Sequence, residues 1–163
     1  MKYDLTNIEN STERNAGGLC SFIFAPKELI ENDAILSPVN NQTTAAVTLI
    51  NGYNWLTATC LQDTLGFTEV QETTPAGSKY NQTLSGVVNG DSIGKAGLTN
   101  ALTFHEYVVI YTGRNGEKRV IGNKTKGMSF VSMFNSGAQY SEKHFYNIIF
   151  SFESAERVPW YPF

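Results

Sequence analysis

Apolar and polar residues alternate with a period of two in several stretches of this chain, at 66–73 and 79–88 and weakly at 43–50, and other runs are rich in β-branched and aromatic types. That period belongs to strands with two unlike faces. The strongest strand signal is residues 104–122, FHEYVVIYTGRNGEKRVIG, which rests on residue type and turn chemistry rather than on alternation. Residues 106–112 are rich in types that fit a pleated surface. Gly113-Arg114-Asn115-Gly116 then supplies a tight turn, with Asn-Gly as its strongest element because both residues tolerate positive φ. Residues 117–121 return with Val120 and Ile121 as apolar positions. This hairpin is the expected centre, with the other strands added around it.

The same reading places a first strand at 19–24, LCSFIF, with Leu19, Ser21 and Ile23 on one face and Cys20, Phe22 and Phe24 on the other. Pro26 ends it, since proline cannot donate to a ladder. Residues 28–36 read as a short turn or an extended piece, and Ser37-Pro38-Val39-Asn40-Asn41 as a loop. Strands are expected at 43–50 and 53–61, joined by a hairpin turn at Asn51-Gly52. Residues 66–73 form a strand in which Phe67 and Val70 are out of phase by one, which predicts a bulge near Thr68. A turn at 74–78 leads to a strand at 79–88. Asn89-Gly90-Asp91-Ser92 is turn chemistry, and Asp91 or Ser92 can cap a helix. The helix is expected at 93–103, with Ile93, Leu98, Ala101 and Leu102 at helical spacing. Gly94 and Gly97 each weaken it by about 1 kcal/mol relative to Ala, so packing on the sheet has to hold it. Further strands are expected at 127–134 and 144–152. Residues 1–15 are polar, an arm or loosely held edge, and residues 158–163 carry two prolines and three aromatics.

Composition narrows the class. The chain has 163 residues, 41% hydrophobic and only 17% charged, with 10 Phe, 8 Tyr and 2 Trp. That suits one β-rich domain with many turns, a sandwich or a barrel, and argues against a helical bundle. A net charge of −3 without a basic run argues against tight nucleic-acid binding, which needs clustered Lys and Arg. The two cysteines, Cys20 and Cys60, stand apart without metal-ligand spacing and read as buried free thiols. The first residues carry no apolar leader pattern, and no run approaches the roughly 18 apolar residues of a membrane span. Both features predict a cytoplasmic origin and no membrane partner.

Candidate chemistry is sparse. His105 and Glu106 are strand neighbours and point to opposite faces, so they form no local acid-base pair. His144 stands at another strand start. Asp63, Glu69, Glu72, Asp91, Glu106 and Glu117 are scattered; a glycosidase could assemble two such groups across a fold, as could many proteins. No nucleophile elbow or phosphate-binding loop occurs, and Gly113-Arg114-Asn115-Gly116 is turn geometry rather than a phosphate cradle. The Asn-x-Ser/Thr triplets at Asn10, Asn41, Asn81 and Asn123 read as coincidence. No catalytic residue, metal site or cofactor is expected.

In the order of its pieces, the chain resembles virion proteins of tailed bacteriophages with the tail-tube fold, of the kind found in phages and prophages of Bacteroidetes. The resemblance rests on Asn-Ala-Gly-Gly at 15–18 opening into a strand, on GFTEVQETTPAGSKYNQTLSGVV, on one helix, and on YVVIYTGRNGEKRVIGNKTKGMSF followed by HFYNIIFSFESAERVPWYPF. It implies one domain over 1–163, with residues 1–16 as an arm and 154–163 as a tail. The implied fold is a β-sandwich or partly closed barrel with one flanking helix. The implied function is a structural subunit that forms hexameric rings stacked as a tube for DNA passage, with other tail proteins as partners and the virion tail as location. The loop with Thr74, Pro75, Ala76 and Gly77, and the tail residues Val158, Trp160, Tyr161 and Phe163, are then the expected subunit contacts. Two alternatives stay open: a head-to-tail connector or tail-terminator ring protein, and a monomeric β-barrel that holds a ligand in its mouth.

Overall fold

The structure, a computed structural model, describes residues 17–35, 37, 40–139 and 141–163. The expected arm over 1–16, and Pro38 and Val39 of the expected loop, lie outside them. The described elements run β1 (Leu19–Pro26), a 3₁₀ turn (Lys27–Leu29), β2 (Ile30–Asn32), β3 (Thr48–Leu49), β4 (Leu56–Thr57), β5 (Gly66–Thr74), β6 (Gly77–Asn89), α1 (Ile93–Leu102), β7 (Glu106–Gly113), β8 (Lys118–Ile121), β9 (Met128–Asn135) and β10 (Phe145–Ser154). The chain is mainly β with one α-helix, as its alternation implies.

An eight-stranded sheet carries the fold, in the order β4-β1-β7-β9-β10-β6-β5 with β8 paired to β7 off this path. β2 and β3 form a separate pair. The large sheet curls strongly. Phe22 on β1 meets Phe150 on β10 with ring centroids 5.7 Å apart, although β7 and β9 lie between those strands in the sheet. Phe67 on β5 lies 4.8 Å from Tyr111 on β7. The two ends of the curl are tied through the segment between β4 and β5, by bonds from the Leu19 N–H to the Leu65 carbonyl at 3.3 Å and from the Leu61 N–H to the Val87 carbonyl at 2.7 Å. The concave side holds the main core, with Phe22, Phe24, Leu84, Tyr107, Val109, Tyr111, Met128, Phe130, Ile148 and Phe150 buried together.

β7 is buried on both faces. Its inward residues belong to that core, while Val108 and Ile110 face a second cluster with Ala25, Ile30, Val47, Val120 and Tyr161. The excursion from the 3₁₀ turn through Trp55 and the end of the chain supply the cover. The expected hairpin is present with its turn at 113–116, closed by a 2.8 Å bond from the Gly113 N–H to the Glu117 carbonyl. Of the two turn residues expected at positive φ, only Gly116 adopts it, at 84°.

Several local expectations are corrected. The strands expected at 43–50 and 53–61 shrink to β3 and β4. The Asn51-Gly52 turn forms, with Gly52 at φ 94°, but its flanks pair with different partners, β3 with β2 and β4 with β1, so it closes no hairpin. β5 pairs with β6 in unbroken register from Gly66↔Ser85 to Thr74↔Gly77, so no bulge stands near Thr68. The phase slip there means only that Phe67 turns inward and Val70 outward. The bulge lies in β1 instead, where Leu19↔Gly113 is followed by Ser21↔Thr112. The inserted residue is Cys20, which leaves the face of Phe22 and Phe24 and becomes exposed; Cys60 is half-buried. The expectation of two buried thiols therefore fails. α1 forms with Ser92 as its cap, the hydroxyl accepting from the Lys95 N–H at 3.1 Å. No residue of α1 is buried, and Leu98 is 59% exposed, so the expected packing on the sheet reduces to Leu102 at the edge of the core.

Candidate functional site

The half of the sheet formed by β9, β10, β6 and β5 has one face in the core and the other open. The register stacks Val131, Ile149, Ser85 and Gly66 in one row, and Met133, Asn147 and Val87 in the next. On the other side of that first row lie Ser129, Ser151, Thr83 and Thr68, then Glu153, Asn81 and Val70. Ser129 and Ser151 share a 3.0 Å hydroxyl–hydroxyl bond across the strands. All of these residues are exposed or half-buried, and none belongs to either buried cluster. Inward neighbours such as Gln82, Leu84, Ile148 and Phe150 are buried, so the alternation is clean.

The chemistry of this face is uniform: hydroxyls, amides and aliphatic carbons, with no charge from Met133 across to Thr68. Charges enter only toward the end of the β5–β6 hairpin. There Lys79 lies 3.2 Å from both Glu72 and Glu153. Hydrogen bonds to Glu72 and then Glu153 raise the Lys79 pKa, so the ammonium stays charged and neutralised.

The face ends at β5. Among the described residues no strand pairs with the outer edge of β5 along its 9 residues, Gly66–Thr74. The hairpin beyond it projects: Val70 is 56% exposed, and Pro75, Ala76 and Gly77 are all exposed. The Thr74 hydroxyl donates to the Gly77 carbonyl at 2.8 Å and fixes the tip. Gly77 has φ 125°, a conformation L side chains avoid.

The tail residues divide. Val158 and Tyr161 are buried in the chain's own two clusters, so as subunit contacts they are corrected to parts of the fold. The Val158 N–H donates to Glu69 Oε2 at 2.7 Å, and its carbonyl accepts from Arg119 Nη1 at 2.9 Å and Asn41 Nδ2 at 3.1 Å. The Tyr161 hydroxyl accepts from the buried Val47 N–H at 3.0 Å. Despite the two prolines, Trp160 bridges Gln42 on one side and Arg119 on the other. The Arg119 guanidinium lies 4.2 Å from its ring centroid. Trp160 and Phe163 remain about half exposed, at 43% and 47%, and can still meet another molecule.

Of the six scattered acidic groups five are tied up separately, Glu72 by Lys79, while Glu117 has a buried Oε2 without a hydrogen-bond partner among the described residues. Glu106 pairs with Lys27, Asp63 with Arg114, Asp91 accepts from the Tyr146 hydroxyl, and Glu69 accepts from Gln82 and Val158. His144 lies with its ring 6.2 Å from Phe134. Among the described residues no three His, Cys, Asp or Glu side chains gather as a metal site, and no helix is long and apolar enough to cross a membrane. One apolar cavity of about 170 Å³ lies under α1, lined by Leu98, Leu102, Val88, Phe130, Ile148 and Phe150 among others.

The open face escapes prediction because alternation shows two faces without showing which one the rest of the chain covers. The signal was present in the outward positions 81, 83, 85 and 87, which read Asn, Thr, Ser and Val. Comparison with protein-family models, curated proteins and solved structures finds no match to this chain.

Proposed function

We propose that this chain is a self-assembling structural subunit of a bacteriophage tail. Copies join along the outer edge of β5 into hexameric rings, the rings stack as a tube, and the uncovered face of β9, β10, β6 and β5 lines the passage for DNA. Other tail proteins bind the tube ends, and assembly takes place in the bacterial cytoplasm. The observation that carries this reading is the junction, among the described residues, of an uncovered sheet face whose few charges are paired with one another and an edge strand without a strand partner. A free edge of that length is a template for another chain, and a head-to-tail contact closes into a ring when its rotation permits. Phosphates are held by clustered Lys and Arg, and this face offers none, so DNA slides past it. The projecting tip with Thr74, Pro75, Ala76 and Gly77 reaches toward the next ring, and exposed Trp160 and Phe163 add contact area.

A second reading, a monomeric binding module, is favoured by the apolar cavity under α1. Light scattering and electron microscopy of the purified chain separate the two. Rings and tubes are expected, and Val70→Lys on the β5 edge should abolish them while leaving the monomer folded. A chain that stays strictly monomeric at high concentration overturns the tail reading.

A further inference from the structure

The chain has only two cysteines, and the register of the short β1–β4 ladder, extended beyond its last pair, would bring them level with one another. β1 and β4 pair antiparallel as Ile23↔Thr57 and Phe24↔Leu56. Continued toward the start of β1, the same register would bring Phe22 level with Ala58, Ser21 with Thr59 and Cys20 with Cys60; the bulge turns Cys20 off the core-facing side on which Cys60 packs, so joining them requires the bulge to rearrange. The ladder stops short of them. Beyond Thr57 the two segments part around a groove of about 540 Å³ lined by Cys20, Cys60, Ser21, Thr59 and their neighbours. Both ends of the groove are tethered. The β1–β4 pairs hold one end. The Leu19–Leu65 backbone bond and the Arg114–Asp63 ion pair hold the other.

The two thiols differ in setting. Cys20 is the inserted residue of the β1 bulge and is exposed. Cys60 is half-buried against Gly86, where an added Cβ would stand 2.6 Å from its Sγ. We infer that Cys20 and Cys60 form a dithiol pair that oxidation joins across this groove, zipping residues 58–60 onto β1. Opposed residues of an antiparallel ladder have Cα atoms about 4.5–5.5 Å apart, inside the range of roughly 4.4–6.8 Å that a disulfide spans. Closure also gives backbone partners to the open edge of β1 at Cys20, Ser21 and Phe22.

The chemistry balances with a peroxide as oxidant. The Cys20 thiolate attacks one peroxide oxygen, an S–O bond forms, the O–O bond breaks and hydroxide leaves. The Cys60 sulfur then attacks the sulfenic sulfur, forming the S–S bond and releasing water, with the Cys60 proton carried away in it. Two thiols lose two electrons, and the peroxide is reduced to two waters. Exposure makes Cys20 the first nucleophile, and burial pushes the Cys60 thiol up, which leaves it the less reactive of the two toward peroxide. The inference stands apart from the tail reading, because a single chain suffices.

The test uses the full chain, reduced and then treated with hydrogen peroxide at low protein concentration. Non-reducing peptide mapping should link the Cys20 and Cys60 peptides within one chain, with a mass loss of two hydrogens. The melting temperature should rise by about 5 °C or more over the reduced protein, and not in Cys60→Ser. Sulfenic or sulfinic acid on Cys20 with Cys60 still free, a disulfide between two chains, or no loss of thiol overturns the pairing. A disulfide that forms without raising the melting temperature overturns the zipping.

Discussion

At the scale of single residues, the point where the sheet divides is set by one glycine. β7 pairs with β9 at only two positions, Glu106↔Ser129 and Tyr107↔Met128, and then with β8. Gly127 sits at the fork, where an added Cβ would lie 2.7 Å from the Tyr107 nitrogen and 2.9 Å from its carbonyl oxygen. Backbone cannot step aside cheaply, so the fork requires a residue without a Cβ. The Gly127 N–H donates to the Glu106 carboxylate at 3.2 Å, and Lys27 pairs with the same oxygen. The Lys27 hydrogen bond and then the Gly127 N–H hold the Glu106 pKa below its ordinary value near 4.5. A carboxylate whose folded pKa is depressed adds stability above its unfolded pKa, and that stability is lost as pH falls through the folded value. Glu106→Gln should therefore lower stability slightly at pH 7, by less than about 1 kcal/mol because the pair is solvent-screened. The gap to the parent should close as pH falls below about 4.5. Urea midpoints across that window check it, and a gap that widens on acidification contradicts the assignment. None of this was legible beforehand. His105-Glu106 showed only that the two point apart, and Lys27 is 79 residues away in sequence.

At the scale of elements, long strands are legible in the sequence even where they pair across the fold, as β1 with β7 and β10 with β6 do, while the two-residue strands β3 and β4 are not. β5 with β6 and β7 with β8 are local hairpins, so strand patterns and turn residues suffice for both. The stretch from β2 to β4 splits its pairing between two sheets, and no local pattern records that division. α1 shows the same limit: its cap at Ser92 and its spacing were legible, while the depth of its packing depends on a sheet the helix pattern does not describe. The tail is the most instructive case. Its aromatics looked like material for another subunit, yet Tyr161 accepts a hydrogen bond from a buried backbone N–H of Val47 and Val158 completes the main core. Tyr161→Phe should cost about 1–3 kcal/mol, the penalty for stranding a buried donor. Phe163→Ala, at a half-exposed ring, should stay within about 0.5 kcal/mol in the monomer. Chemical denaturation of both variants measures the difference. Deleting 158–163 would not separate assembly from folding, because it removes core along with surface.

At the scale of the whole molecule, the two halves of the sheet are treated differently. The outer face of β1, β7 and β8 is roofed by the second cluster and the tail, while among the described residues the outer face of β9, β10, β6 and β5 is uncovered and carries charge only in the Glu72–Lys79–Glu153 group toward the end of the β5–β6 hairpin. A chain that spends cover on one half and leaves the other open beside a free edge is built to present that surface. If the surface lines a passage for DNA, its lack of clustered positive charge is the functional property, and adding charge should spoil it. Thr83→Lys with Ser85→Lys places two ammonium groups on adjacent outward positions of β6, away from the β5 edge and from both buried clusters. Assembly should survive, apart from some repulsion at low ionic strength. Double-stranded DNA should then be retained by the assembled variant, with affinity that falls steeply as salt is raised, because retention works through released counterions. The parent assembly should show no such retention at about 150 mM salt, where the Debye length is roughly 8 Å. Co-sedimentation of DNA with the assemblies over a salt series reads both arms. A parent that holds DNA tightly, or a variant that assembles but holds none, would place the bare face on the outside of the ring.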